Sequence, residues 1–178
     1  MRDPWEWLGR PQNLRPEAKA LPLADVLVSS DCVAPDEDDI THDWLMRTEY
    51  NTGILFLRAT AGGRAVVRMW RERLRTEQET EAYINDQAVF NRLMHGPTQR
   101  FGVVGSAEAE RGVYKLLGDQ WKEMNVTVSM SVLPLTHFCN GHVFFVQRLH
   151  ERRDRSDPPV VVHATYQYAD TPEFGFGK

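Results

Sequence analysis

Cysteine is scarce. Cys32 and Cys139 are the only two in 178 residues, too few for a disulfide scaffold or a cysteine-only zinc site. They can pair once, in an oxidising compartment, and spacing alone leaves that open. Long apolar runs are missing too: no stretch reaches the roughly 20 residues a membrane-spanning helix needs. The opening Met1-Arg2-Asp3-Pro4-Trp5 has no apolar signal-peptide core. Nor is there an excess of positive charge. Lys and Arg number 21 against 25 Asp and Glu, a net of -4 with a pI near 5.9. A general nucleic-acid or anionic-membrane binder is usually basic, so neither class of partner is expected. Repeats and low-complexity tracts are absent. What remains is ordinary globular composition, 42% hydrophobic and 26% charged, which excludes a disordered or fibrous chain. The length suits one domain, residues 1–178, with a real core.

The apolar pattern predicts alternating strands and helices. Residues 1–22 are rich in Pro and Arg and read as irregular with one turn of helix. Ala24 to Ser30 is a buried strand ending at Asp31, and Gly53 to Leu57 is a second, with Asn51 in the turn that opens it. A helix follows, with Thr60 as N-cap and Val66, Val67, Trp70 and Leu74 in one apolar stripe. Arg64, Arg68, Arg71 and Arg75 fall elsewhere on it. That basic set beside Trp70 reads as a solvated face rather than a nucleic-acid surface. A second helix starts near Asn85 or Asp86, buries Val89, Phe90, Leu93 and Met94, and ends at Gly96-Pro97. After a loop, Val126 to Leu133 alternates strictly and reads as a half-buried strand. His142 to Val146 reads as another, and Pro159 to Val162 runs as a buried strand into His163. The expected class is α/β. Ligands in such sheets sit beyond the carboxyl ends of strands, where Asp31 and His163 both stand.

Four segments then line up in order: DVLVSSD (Asp25 to Asp31), YNTGILF (Tyr50 to Phe56), NDQAVFN (Asn85 to Asn91) and VVHATYQY (Val161 to Tyr168). With Met1-Arg2-Asp3-Pro4 and Phe138-Cys139-Asn140-Gly141-His142, they resemble the plant and green-algal nucleotide-diphospho-sugar transferase domain. This is glycosyltransferase family 77, with its extensin arabinosyltransferases and rhamnogalacturonan-II xylosyltransferases. More distantly the same pieces look like the glycogenin-like retaining transferases. The ordered set carries the resemblance; each motif alone is weak. It implies a GT-A fold and retaining transfer of a sugar, arabinose or xylose, from a nucleotide-sugar donor such as a UDP-sugar. The implied acceptor is a cell-wall glycoprotein or polysaccharide, and the implied cofactor is a divalent ion, manganese. It also implies a Golgi-lumen enzyme, a type II membrane protein when complete.

Site residues follow from the same resemblance. His163 matches the metal-binding histidine; a histidine after an apolar strand is otherwise a structural residue. Asp86 and Gln87 match the catalytic D-Q pair facing the donor sugar. The carboxylate would accept hydrogen bonds from sugar hydroxyls, and the amide carbonyl would stabilise an oxocarbenium-like centre. The alternative for Asp86 is a helix cap. Asn51, in the N-x-G segment with Gly53, matches a substrate-binding asparagine; its alternative is a turn residue. Asp31 matches an aspartate on the sugar or acceptor side, against a strand-end cap. Gly141, beside His142, is a weaker substrate-side match, and Lys178 matches a diphosphate contact.

Two departures shape the expectation. The family's D-x-D lies just upstream of Met-Arg-Asp-Pro, where this sequence starts, and the family continues past the Gly-Lys matched by Gly177-Lys178. The sequence therefore reads as the carboxyl-terminal portion of a GT-A domain, incomplete at the N-terminus and weak or inactive alone. Asp36-Glu37-Asp38 spells D-x-D but follows Pro35 in an acidic run without a preceding apolar strand, so it is read as a solvated loop. Asn125-Val126-Thr127 is a glycosylation sequon of a kind that also occurs by chance. The rivals to a transferase are a non-catalytic sugar- or partner-binding remnant, and a metal hydrolase built from His163, Asp31 and Asp86.

Overall fold

The computed structural model describes residues 3–9, 24–32, 48–78, 85–95, 101–103, 113–151 and 158–164. It opens on a short helix, α1 (Pro4–Leu8), capped by the Asp3 carboxylate, which accepts from Trp5 N at 2.8 Å, with Pro4 in the first turn. Five strands make the main sheet: β1 (Val26–Ser30), β2 (Tyr50–Leu57), β3 (Phe101–Val103), β4 (Tyr114–Leu116) and β5 (Val128–Val132). Their order is β2-β1-β5-β4-β3. β1 and β5 run parallel, Val26 opposite Met130, while the other neighbours are antiparallel. A separate parallel pair joins β6 (Phe138–Asn140) to β7 (Val161–His163). The sheet is thus mixed rather than wholly parallel.

Three helices complete the frame: α2 (Ala61–Gln78), α3 (Asp86–His95) and α4 (Asp119–Glu123). Val66 of α2, Phe90, Leu93 and Met94 of α3 and Trp121 of α4 cluster with Val26, Val28, Val128, Met130 and Val132 of the sheet. A second cluster joins Leu27 and Ile54 to Trp7, Leu8, Leu133 and Phe138. Strand β1 is therefore buried throughout, as its unbroken apolar run implies. Each of these large side chains contributes roughly 1.5–3 kcal/mol by leaving water.

Thr60 caps α2 as expected, its Oγ1 accepting from Gly63 N at 3.1 Å. Gly63 itself lies so close to the Arg58 carbonyl that a Cβ could not be accommodated without a backbone shift. Val67, placed by periodicity on the buried stripe, is 44% exposed; the buried face is shifted one position, to Ala65 and Val66 with Met69 and Trp70 partly covered. In β5 the alternation is real but both faces are covered. Ser131 is fully buried, and Ser129 is tied to Asp25. Strands β3 and β4 and helix α4 were not foreseen.

His142 to Val146 is not a strand. It is a π-helical turn, with Gln147 N donating to His142 O at 3.0 Å, the i to i+5 bond. The Asn140 side chain starts it by accepting from Val143 N at 3.0 Å. Four consecutive apolar residues carry no period of their own, so only this cap distinguishes turn from strand.

Candidate functional site

The site grows from a fault in the β1–β2 ladder. Val28 pairs with Leu55, yet the next residue, Ser29, pairs with Asn51. Thr52, Gly53 and Ile54 are thereby pushed out of register. The Asn51 side chain stabilises that break, its Oδ1 accepting from Gly53 N at 2.8 Å, an Asx turn. Asn51 is thus inside β2, followed by the turn rather than placed before the strand. It is buried, and its Nδ2 donates to Asp31 Oδ1 at 2.5 Å.

Asp31 stands one residue past β1 and receives two amides. The second comes from α3: Gln87 Nε2 donates to Asp31 Oδ2 at 2.7 Å. Gln87 Oε1 in turn accepts from Thr52 N at 3.3 Å, a long bond, and among the described residues no donor meets its second lone pair. The carboxylate therefore fixes which face of both Asn51 and Gln87 carries N–H and which carries C=O.

The alternative role of Asp86 as a helix cap is excluded. Asn85 caps α3, its Oδ1 accepting from Gln87 N at 2.9 Å and Ala88 N at 3.3 Å. Asp86 stands on the next residue, exposed, and its Oδ2 accepts from Thr52 Oγ1 at 3.2 Å. Both carboxylates, Asp31 and Asp86, thus gather at the N-terminal turn of α3, where the helix dipole favours negative charge. The rear of α3 is locked to β2: Asn91 accepts from Tyr50 N and donates to Tyr50 O, each at 2.8 Å. Trp70 Nε1 donates to Asp86 O at 3.1 Å, which holds the first turn from the α2 side.

His163, the last residue of β7, reaches the same place from the second sheet. Its imidazole lies against Gly53, where a side chain would occupy the ring's position. This close approach explains the glycine. The register partner of His163 is Asn140, whose Nδ2 donates to Cys32 O at 2.8 Å. Asn140 therefore ties the end of β6 to the residue after Asp31. Sequence reasoning quoted the F-C-N-G-H segment but singled out Gly141; the buried amide at Asn140 was the available signal. Thr52 was likewise missed, although it touches both Asp86 and Gln87.

Other expected residues separate from this group. Gly141 is buried and leads into the π-helical turn with φ -62 and ψ -34, a conformation any residue adopts. Lys178 and the Asp36-Glu37-Asp38 run lie outside the described residues. Cys32 and Cys139 are not joined in a disulfide; they lie in one small apolar cluster with Leu135 and Val143, and Cys139 Sγ donates to Thr136 O at 3.6 Å.

The fit to a metal was tested on the donor set. Among the described residues no group of three His, Cys, Asp or Glu side chains is arranged to hold an ion. His163 supplies a single nitrogen, so the described residues do not complete a metal site. Among the described residues no helix is long and apolar enough to cross a membrane. The gathered groups can accept hydrogen bonds from hydroxyls and orient amides.

The sequence is 31% identical over 170 residues to the arabinosyltransferase XEG113 of Arabidopsis thaliana, a match covering 93% of this chain and 23% of that protein. The chain thus spans about a quarter of the length of this curated relative. No solved structure matches it. The profile of the nucleotide-diphospho-sugar transferases matches residues 2–173, and the chain belongs to that family.

Proposed function

We propose that the protein is a glycosyltransferase of the arabinosyltransferase kind, moving arabinose or xylose from a UDP-sugar to a cell-wall glycoprotein or polysaccharide with retention. The observation that carries this reading is the convergence of Asp31, Asn51, Asp86 and Gln87 on the ladder fault, with His163 beside Gly53. Asp86 and the second lone pair of Gln87 face the donor sugar. Asp86 accepts from its hydroxyls, and the Gln87 carbonyl dipole offsets positive charge developing at the anomeric carbon. Asp31 is the positioning residue, since it orients both amides. Attack from the leaving-group face requires no nucleophile among these side chains and gives retention.

Manganese belongs to the same proposal. It would offset charge on the departing diphosphate, with His163 as one nitrogen ligand and the remaining ligands supplied from outside the described residues. No step above depends on it. The Golgi lumen is the proposed location. The chain by itself is proposed to be a weak catalyst.

Calorimetric titration with a UDP-sugar and manganese tests this. Expected is weak sugar-dependent binding that is lost in Asp86→Ala and strengthened little by the metal. Tight metal-dependent binding would overturn the weak-catalyst proposal, and binding indifferent to Asp86 would overturn the assigned site. A second reading is a non-catalytic sugar- or partner-binding module. It predicts binding of the free sugar comparable to that of the UDP-sugar.

A further inference from the structure

We infer that Asn125 is an acceptor for an N-linked glycan when the chain passes through the secretory pathway; the occupancy of this site in the cell rests on the luminal location proposed above. The chain has six asparagines, and only Asn125 begins an Asn-x-Ser/Thr triplet, Asn125-Val126-Thr127. The others are committed or lie elsewhere. Asn51, Asn91 and Asn140 are buried with their amides engaged, Asn85 caps α3, and Asn13 lies outside the described residues.

Asn125 combines the acceptor motif with an open position. It is exposed, and its side chain forms no hydrogen bond with any described residue. Its backbone has φ 51, one of two non-glycine residues in the left-handed region among those described. This conformation follows helix α4, where Asn125 N donates to Lys122 O at 2.9 Å and Val126 N to Trp121 O at 3.0 Å. Asparagine tolerates the left-handed region, but glycine suits it better, and the turn places no demand on position 127. Thr127 is exposed too, while Val126 between them is partly buried against the core. The two residues that define the acceptor motif thus face solvent, and the middle one anchors the turn.

The position also leaves the candidate site open. Asn125 and Thr127 precede β5, whose amino end lies beside the amino end of β1, since the two strands are parallel. Asp31 is past the other end of β1. Asp31 stands six positions after Asp25, about 20 Å at the rise of a strand. In the transfer itself, Asn125 Nδ2 forms a bond to C1 of an oligosaccharide carried on a polyprenyl diphosphate. The C1–O bond breaks, the diphosphate leaves with the electron pair, and one amide proton passes to a base on the transferring enzyme.

The test is to secrete the chain from yeast behind a cleavable signal and digest it with peptide-N-glycosidase F. Expected is one discrete downward mass shift, with Asn125 converted to Asp in the released peptide. Asn125→Gln and Thr127→Ala should each abolish the shift, and Thr127→Ser should keep it. Thr127→Ala leaves the left-handed asparagine in place, so it guards against a folding artefact of Asn125→Gln. An unmodified wild-type chain, or a shift that survives both variants, overturns the inference. The same digestion on protein from its own cells reads location separately. A glycan on the secreted form but none on the native protein leaves the acceptor assignment standing and overturns the luminal proposal.

Discussion

Strand β1 is bracketed by two aspartates, and they do opposite things. At its amino end, Asp25 is tied into the sheet: its Oδ1 accepts from Thr60 Oγ1 at 2.5 Å, and its Oδ2 accepts from Ser129 N and Oγ, both at 2.8 Å. All three donors belong to secondary structure that must be joined there, namely the start of α2 and strand β5. At the carboxyl end, Asp31 accepts from two side-chain amides, Asn51 and Gln87, whose carbonyls in turn accept from Gly53 N and Thr52 N at the ladder fault. One carboxylate holds elements together, and the other sets the orientation of one buried amide, Asn51, and one partly buried amide, Gln87. The comparison teaches that residue type and strand-end position do not define a site. What separates these two ends is the kind of partner: backbone and capping groups at Asp25, two side-chain amides at Asp31.

The largest way to break that comparison is Asp25→Ala. Hydrogen bonds to a charged group contribute about 1.5–3 kcal/mol each. Removing their common acceptor leaves Thr60 and Ser129 with unpaired donors, so a loss of about 3–5 kcal/mol in unfolding free energy is expected from denaturant titration. Asp31→Ala, made in parallel, should cost clearly less. Equal losses would mean that Asp31 is simply another anchor.

Gly53→Ala comes next. A Cβ there would sit on the His163 imidazole, so the ring or the ladder fault must move, at a cost of about 1–3 kcal/mol. The sharper readout is the His163 ring resonance, which should shift, whereas a similar overpacking substitution at Gly63 should leave it in place. An unmoved His163 signal in Gly53→Ala would show that β7 does not complete the site. A subtler change, Asp31→Asn, replaces one acceptor oxygen by an N–H that confronts an amide donor. Stability should change by about 1 kcal/mol or less, while sugar affinity falls about tenfold, ~1.4 kcal/mol. Calorimetry and denaturation together separate the two effects.

The sequence made β1, α2 and α3 legible because each has a strong period and a recognisable boundary: Thr60 caps α2 and Asn85 caps α3. It also brought forward Asp31, Asn51, Asp86, Gln87 and His163, all of which the fold collects in one place. The resemblance supplied that list; hydrophobic pattern alone pointed only to Asp31 and His163 at strand ends. What stayed hidden depends on tertiary contacts. The fault after Val28 arises from pairing between strands, so nothing local in Asn51-Thr52-Gly53 distinguishes a turn before a strand from a turn within one. Asn140 and Thr52 act through partners far along the chain, Cys32 and Asp86. The π-helical turn at His142–Val146 depends on the Asn140 side chain, which an apolar count ignores.

The smallest effect concerns what supports the Asp31 end from behind. Tyr50 pairs with Ser30, and its ring stacks on His95 with centroids 4.5 Å apart. His95 Nε2 meets the Thr48 carbonyl at 3.0 Å. Burial lowers the His95 pKa below its usual value near 6.5, and the Thr48 carbonyl only partly offsets this. The unfolded chain therefore binds a proton at His95 before the folded one does. Stability should be full above pH 6.5 and decline as pH falls below it, levelling once the folded form is protonated as well. Unfolding midpoints between pH 7.5 and 5.5 should show this slope in the wild type, and His95→Gln should flatten it. Amide exchange locates the effect. Protection at Tyr50 and Asn51 should fall first, while Ser129, at the Asp25 end, keeps its own. Equal loss at both ends would mean that the two ends of β1 open as one unit, and that the site end has no separate stability to tune.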